Sequence, residues 1–144
     1  MKTTNQMRLS FPSKSCNEAF ARGAISSFIT PLDPTINELN DLKTAVSEAV
    51  TNCIVHGYKR QSGTIYIYAS IKEDSTVTVK IRDKGVGIED INKAMEPLFT
   101  TAPGEERAGL GFAVMQSFCD RVRVKSEPQK GTTVTLIKRI GTDG

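Results

Sequence analysis

Residues 35–57, TINELNDLKTAVSEAVTNCIVHG, decide the fold class of this chain. Thr35, followed three residues later by Glu38, has the pattern of a capping box, which predicts where a helix begins. Gly57 is the predicted C-cap of that helix. The apolar residues between these ends recur at steps of three and four, the period of one helix face: Ile36, Leu39, Leu42, Val46, Ala49, Val50, Cys53 and Ile54. The segment therefore predicts a long amphipathic helix.

On the C-terminal side of this helix the apolar pattern changes to the two-residue period of β-strands. The predicted elements, in chain order, are strands at 64–71 and 77–81, a loop at 83–87, a short helix at 90–96, a helix at 110–119, and strands at 121–126 and 132–140. Gly63, Gly131 and a polar stretch at 73–75 mark the predicted turns.

On the N-terminal side, Ser15 and Glu18 form a second capping-box pattern, which predicts a helix with Phe20, Ala24 and Phe28 on one face. The predicted order is then α, α, β, β, α, α, β, β. This order fits an α/β (α+β) two-layer sandwich, in which helices cover one face of a mixed or antiparallel sheet. We expect residues 1–144 to form a single domain.

Composition limits the class of protein. The net charge is only +3 and the basic residues are scattered among acidic ones, which predicts no direct nucleic-acid partner. No apolar stretch approaches the roughly 18 residues of a membrane helix, and Met1–Pro12 lacks the apolar core of a signal peptide. We therefore expect a cytoplasmic protein without a membrane partner. Three separated cysteines and a single histidine argue against a disulfide framework or a zinc site.

Two polar side chains stand out on the long helix. Glu48 and Asn52 are four residues apart, so they lie side by side on a face away from the apolar stripe. A carboxylate next to an amide is a pair that could serve a metal-bound ligand. Considered alone, however, the pair is more typical of a solvated helix face.

The segment Asp83-Lys84-Gly85-Val86-Gly87 follows a predicted strand. Its two glycines allow the backbone to come close to a ligand, and Asp83 would accept a hydrogen bond from an exocyclic amine such as that of adenine. Considered alone, this pattern is more often an ordinary Asp/Gly turn.

The helix predicted at 110–119 begins with Gly109-Leu110-Gly111-Phe112. Free N–H groups at a helix start favour phosphate, and glycine lets the backbone approach it closely. The sequence contains neither a P-loop nor a dinucleotide-binding fingerprint. Gly131-Thr132, at the start of the last strand, would support an adenine pocket through a water molecule. A glycine-rich helix start and a simple turn are the alternative interpretations.

Taken in order, the four motifs resemble the Bergerat ATP-binding fold, which includes gyrase B, mismatch-repair ATPases and histidine kinases. The resemblance spans about 35–138 and implies that the chain binds ATP with Mg²⁺. It implies that Glu48 is the general base, that Asn52 holds Mg²⁺ and that Asp83 recognises adenine. It also implies a mobile ATP lid at 98–108. The other nucleotide-binding residues that it implies are Gly85, Gly87, Thr100, Gly109, Leu110, Gly111 and Thr132.

A closer resemblance covers nearly the whole chain. The motifs FAR (20–22), LDPT (32–35), VSEAVTN (46–52), HGY (56–58) and PLFTT (97–101) are similar to those of the sporulation anti-sigma F factor family. This resemblance implies a homodimeric protein serine kinase. Such a protein binds and inhibits a sporulation sigma factor of the sigma F type. It also phosphorylates a serine of an anti-anti-sigma factor, a STAS-type protein.

The resemblance places Arg22 at the partner-binding surface, where its planar guanidinium would pair with carboxylates. Three residues, two in the lid and one just after it, depart from the family pattern. Ala102 stands where a lysine is expected, Gly104 loosens the lid, and Leu110 replaces a methionine of similar volume.

Two alternative functions stay open at this point. Instead of a kinase, the chain would be an ATP-hydrolysing conformational switch, in which Glu48 activates water, or an ATP-dependent binding module without kinase activity. A histidine kinase is disfavoured, because His56 lies inside the predicted ATP-binding helix rather than on a dimerisation helix. Glu48 favours catalysis, since binding alone does not require a base.

Overall fold

The computed structural model describes residues 1–95 and 111–141 of the chain. The described residues form one five-stranded antiparallel sheet in the order β1-β2-β3-β5-β4. The strands are β1 (Thr3–Pro12), β2 (Thr64–Lys72), β3 (Thr76–Asp83), β4 (Arg121–Glu127) and β5 (Gly131–Arg139). The helices are α1 (Cys16–Ile29), α2 (Ile36–Asn52), α3 (Ile91–Ala94) and α4 (Phe112–Phe118). The predicted two-layer α/β sandwich is confirmed, with the antiparallel arrangement of the sheet.

The hydrophobic core lies between α2 and one face of the sheet. The helix contributes a stripe that is fully shielded from water, including Leu42, Val46 and Val50. The strands contribute alternate residues, such as Ile67 and Val79, whose neighbours in sequence face the other side. Each fully buried aliphatic side chain stabilises the fold by about 1.5–3 kcal/mol relative to its exposed state, so this layer fixes the position of α2.

The N-terminal strand β1 was not predicted. It pairs antiparallel with β2 along its length, from Thr3 opposite Lys72 to Pro12 opposite Thr64. Met7, Leu9 and Phe11 alternate towards the core, but only Phe11 is buried. The outward-facing residues of this edge strand are polar and its inward-facing ones are mostly half-buried, so its two-residue pattern is weak. The first element predicted from the sequence therefore began only at Ser15.

Helix α1 corrects two predictions. Ser15 precedes the helix but makes no side-chain cap, so the predicted capping box is absent. The buried face consists of Ala21, Ile25 and Ile29, one position after the predicted face of Phe20, Ala24 and Phe28. Phe20 is 56% exposed and meets the ring of Phe11 edge-on. The predicted apolar stripe is therefore rotated by one residue.

Helix α2 begins as predicted and ends differently. Both hydrogen bonds of the Thr35–Glu38 capping box are present. The α-helix ends at Asn52 and continues as a π-helical turn over Cys53–Gly57, so Gly57 is not the C-cap. At 17 residues α2 is the longest of the described helices, and none of them is long and apolar enough to cross a membrane.

Candidate functional site

A narrow pocket opens where α2 and its π-helical turn meet the ends of β3 and β5. The loop after β3 and the start of α4 close its sides. The lining residues are Ala49, Asn52, Cys53, His56, Gly57, Ile81, Asp83, Gly87, Ile88, Phe112, Thr132 and Val134. Most of the lining is apolar, with a few polar groups that converge on a cavity of about 20 Å³.

Asp83 is the central polar group of this pocket. It is the last residue of β3 and only 3% exposed. Its carboxylate accepts hydrogen bonds from the Gly85 amide at 2.8 Å, the Cys53 thiol and the Thr132 amide. Burial raises the pKa of Asp83 above its ordinary value of 3.8, and these three hydrogen bonds act in the opposite direction. The structure thus holds a buried acceptor ready for a donor on a ligand.

Cys53 has a role that the sequence analysis missed. It belongs to the predicted apolar stripe of the long helix, and it is buried at 3% exposure. Burial raises the pKa of its thiol well above the ordinary value, and the neighbouring Asp83 carboxylate raises it further. The thiol therefore keeps its proton and donates a hydrogen bond to Asp83. No local sequence pattern indicates a contact between residues that are thirty positions apart.

The glycines around Asp83 are required by close backbone contacts. A Cβ on Gly57 would lie 2.6 Å from a carboxylate oxygen of Asp83, and a Cβ on Gly85 would overlap the carbonyl of Gly57. The Val86 amide donates to that same carbonyl at 2.9 Å. Gly87 adopts a φ of +77°, where a side chain would strike the carbonyl of Glu127. These contacts lock the 83–87 loop against the π-helical turn.

A hydroxyl pair fixes the other side of the pocket. The hydroxyls of Ser126 and Thr132 lie 2.8 Å apart, and Ser126 also accepts a hydrogen bond from the Ile88 amide at 2.8 Å. Strand β4 is thereby tied to β5 and to the segment after the glycine loop. Thr132 was predicted to line the site, whereas Ser126 was not, because strand alternation alone gives it no distinguishing signal.

The start of α4 lies beside α2. Gly111 caps α4 with a φ of +66°, and a Cβ there would overlap the carboxylate of Glu48. Glu48 therefore sits at the α4 end of the site, one helical turn before Asn52, which lines the pocket itself. The predicted pair occupies the same side of α2, with the carboxylate outside the pocket lining.

The described residues bring most of the predicted site together. Asn52, Asp83, Gly87 and Thr132 line the pocket. Gly85 shapes its loop, and Gly111 and Glu48 stand at its edge. The predicted Thr100, Gly109, Leu110 and lid 98–108 lie outside the described residues.

Arg22 is in a different place from the pocket. It lies on α1, where its guanidinium contacts the Glu18 carboxylate at 2.6 Å and the Ser47 hydroxyl at 3.1 Å. Ser47 and Thr51 of α2 also donate to Glu18. Glu18 is thus engaged by α2 instead of capping α1. The Arg22 side chain is 36% exposed, so it remains accessible from outside.

The pocket places a buried acceptor in an apolar cleft, and the glycines beside it allow the 83–87 loop to pack closely against the π-helical turn. Residues 13–138 match the family described as the histidine kinase-like ATPase domain. The match covers most of the chain, and the chain belongs to this family of ATPase-like domains.

Curated relatives narrow the family further. The anti-sigma F factor of Thermoanaerobacter sp. (strain X514) is 57% identical over 143 residues, which cover 99% of each chain. The anti-sigma F factor of Priestia megaterium is 50% identical over 137 residues, which cover 94% of this chain and 93% of the relative. This chain therefore belongs to the anti-sigma F factor family.

Solved structures share the fold at low identity. The RsbU and RsbW domains of a Mycobacterium tuberculosis protein superpose with a TM-score of 0.68 at 18% identity, over 95% of this chain and 32% of that chain. The blue-light activated histidine kinase EL346 of Erythrobacter litoralis superposes with a TM-score of 0.59 at 21% identity, over 82% of this chain and 40% of that chain. Both likenesses concern the fold alone.

Proposed function

We propose that this protein is an ATP-dependent anti-sigma factor that binds and inhibits a sporulation sigma factor and phosphorylates a serine of an anti-anti-sigma protein. The observation that carries the proposal is the buried Asp83 acceptor in a glycine-framed pocket. It is supported by relatives at 50–57% identity that bear the name anti-sigma F factor.

Adenine recognition rests on Asp83. The exocyclic amine of adenine is a donor, and guanine carries a carbonyl acceptor at the same position, so a carboxylate favours ATP over GTP. Three protein donors already orient this carboxylate, which lowers the entropic cost of recognition. Thr132 and Ser126 keep the adjacent wall polar.

Asn52 is the proposed magnesium ligand. Among the described residues, no three His, Cys, Asp or Glu side chains gather into a metal cluster. A single amide oxygen suits Mg²⁺, which usually completes its shell with phosphates and water. When bound, Mg²⁺ would neutralise phosphate charge. Asn52 lines the pocket one turn after Glu48, and this position supports a proposal in which the phosphates lie towards the α4 end.

Glu48 is the proposed general base. Its carboxylate would take the proton of the substrate serine while the serine oxygen forms a bond to the γ-phosphorus. The bond from that phosphorus to the bridging oxygen breaks, and ADP leaves. Phosphoryl transfer depends mainly on positioning and charge stabilisation. A carboxylate beside the Gly111 cap and an amide one turn later meet that need.

The partner surface is proposed around Arg22, together with assembly as a homodimer. Arg22 is held by Glu18 and Ser47 but is partly open to solvent. A partner carboxylate can therefore compete for a guanidinium that is already oriented. An arginine in this setting is a common binding hot spot.

Incubation with γ-labelled ATP, Mg²⁺ and a candidate anti-anti-sigma protein tests the proposal. We expect label on a serine of that protein, and retention of the sigma factor when ATP is present. Release of phosphate without any labelled protein would establish the switch ATPase instead. If neither product forms although ATP binds, the binding-module alternative would be correct.

A further inference from the structure

The sheet face opposite the helices carries two columns of cationic side chains, which we call the basic columns. In β3 and β4, alternate residues face the core and their neighbours face outward. The β3 column consists of Lys80, Arg82 and Lys84, and the β4 column consists of Arg121, Arg123 and Lys125, all of them exposed.

Strand pairing places the basic columns in register on either side of β5. Lys80 and Arg123 both pair with Thr135, and Arg82 and Lys125 both pair with Thr133. Between these cations the outward residues of β5, Thr133 and Thr135, are small and neutral and form the floor of a trough. From standard strand geometry, the columns stand about 10 Å apart, and the two facing pairs of cations lie about 7 Å apart along the trough. Beyond them, Arg121 lies across Ile137 from Thr78.

The charge on this face is unbalanced. The basic columns carry a charge of +6, whereas the whole chain has a net charge of +3. All other residues together therefore carry a net charge of −3. None of the six forms a salt bridge with a carboxylate of the described residues. Glu127 follows the β4 column, but it pairs with Lys130 at 3.5 Å. Neighbouring like charges in a sheet repel one another, and an anionic ligand would relieve that repulsion.

Tyrosines on β2 contact two cations on the same face, Lys84 of the β3 column and Arg8 of β1. The Lys84 ammonium lies 5.0 Å from the ring centre of Tyr66, and the Arg8 guanidinium lies 5.2 Å from that of Tyr68. Cation–π contacts of this length are attractive. They position Lys84 and Arg8 in a groove on the β2 side of the β3 column, which Lys80 and Arg82 also line. The groove is therefore built for negative charge.

The chemistry of the face favours one class of ligand. A folded protein partner usually provides and requires apolar anchors at the centre of an interface, and insertion into a membrane requires apolar side chains. Tyr66 is the single large exposed hydrophobic residue on this face within the described ranges. A second copy of the chain would bring like charges together. A phosphodiester strand, in contrast, needs repeated cations and no apolar anchor.

We propose that the basic columns bind the sugar–phosphate backbone of single-stranded nucleic acid along the β5 trough, without sequence preference. The trough is one strand wide, and its two central steps, at Thr133 and Thr135, offer cations from both sides. This surface departs from the expectation of no direct nucleic-acid partner. The expectation relied on charges being scattered in sequence, whereas the sheet gathers residues from 80–84 and 121–125.

Fluorescence anisotropy with labelled 20-nucleotide dT and U strands tests this surface, on the full chain without ATP. We expect a Kd of about 10 µM at 100 mM NaCl, within the range of non-specific binding. Six phosphate contacts on a single strand predict a drop in affinity of about 10²- to 10³-fold between 50 and 200 mM NaCl. Lys80→Glu with Arg82→Glu, or Arg123→Glu with Lys125→Glu, should weaken binding at least tenfold and flatten the salt dependence.

The matched control is Lys14→Glu with Lys43→Glu, which makes the same charge change in residues outside the sheet and should weaken binding less than twofold. Asp83→Asn should bind the strands normally, so a failure of ATP binding is distinguishable from a failure of this surface. Circular dichroism checks that each variant is folded. Equal loss in the control, tighter binding of a duplex, or equal binding of a poly-glutamate peptide would overturn the proposal. So would a change in molecular mass on charge reversal, because the face would then be an interface between copies.

Discussion

Replacement of Asp83 by asparagine should separate adenine recognition from stability. The wild-type carboxylate accepts hydrogen bonds from Gly85, Cys53 and Thr132. Asparagine keeps the shape but has one acceptor oxygen and one donor NH₂ group. If the oxygen remains with the Gly85 amide, the NH₂ group faces either the pocket or another donor. The adenine amine then meets a donor where it needs an acceptor.

The expected loss of ATP affinity is about 1–3 kcal/mol, the usual scale for a hydrogen bond to a charged group. This corresponds to a Kd that is roughly 5- to 150-fold weaker. Stability should change less, since the substitution removes the cost of burying a carboxylate but leaves a donor facing a donor. These effects oppose each other, and a net change of about 1 kcal/mol would shift Tm by only about 4 °C.

The pH dependence gives a second readout of the same carboxyl. Burial raises the pKa of Asp83, so it gains a proton at a higher pH than an exposed aspartate does. ATP affinity of the wild type should therefore fall as the pH falls towards this raised pKa, whereas the asparagine variant lacks this dependence. The pH dependence of folding stability has the opposite sign to that of ATP affinity. This carboxyl contributes most favourably below its unfolded pKa, and the contribution is lost as the pH rises through the folded pKa.

Titration calorimetry with ATP and GTP between pH 5 and 8, alongside thermal melts, provides the measurement. Protonation of the nucleotide itself affects both proteins equally, so the difference between them isolates Asp83. Asp33→Asn is a suitable control, because this exposed aspartate has a φ of +52° that asparagine also tolerates. Equal affinities for ATP and GTP that the substitution leaves unchanged would refute the assignment of adenine recognition to Asp83.

Further substitutions examine the remaining assignments. Glu48→Gln should leave ATP affinity within about twofold and slow phosphotransfer about 10²- to 10⁴-fold, because it removes basicity but not shape; an equal loss in both assays would contradict a base. Asn52→Ala should reduce Mg-ATP affinity and phosphotransfer together, and an unaltered magnesium titration would exclude it as a ligand. Arg22→Ala should lower recovery of both the sigma factor and the anti-anti-sigma protein in pull-downs while ATP affinity is kept; undiminished recovery of both would remove it from the interface. Thr35→Ala should reduce the free energy of unfolding in urea by about 1 kcal/mol through loss of the capping box, and an unchanged midpoint would disprove that role.

Local rules explain which parts of the fold the sequence predicted correctly. Helix α2 has a sustained three-to-four-residue period and a capping box, so its start depends only on neighbouring residues. Strands β2, β3, β4 and β5 alternate clearly, and each lies within one or two residues of its predicted bounds at most ends. The order of motifs along the chain also predicted which segments meet at the pocket.

Long-range contacts explain what the sequence did not reveal. In α1, the Ser15–Glu18 pattern suggested a cap, but hydroxyls of α2 engage Glu18 instead. The sequence of α1 contains two apolar stripes that are offset by one residue. The stripe of Ala21, Ile25 and Ile29 is the one that is buried in the structure. The contact of Cys53 with Asp83 likewise joins separate elements, as does the Ser126–Thr132 pair across strands. Such contacts exist only once the sheet has formed.

Helix α2 connects the two proposed activities through adjacent faces. Ser47 and Thr51 bond to the α1 cluster that holds Arg22, whereas Asn52 lines the proposed nucleotide pocket and Glu48 lies at its edge. Ser47 precedes Glu48 by one residue, and Thr51 precedes Asn52 by one residue. One residue corresponds to a rotation of about 100° around the helix axis. The capping box fixes the start of α2 and the π-helical turn anchors its end to the Asp83 loop, so both faces keep their relative orientation. Under the proposed function, a partner bound at Arg22 contacts the same rigid helix that supports the phosphates, which explains how one small domain can both sequester a protein and phosphorylate another.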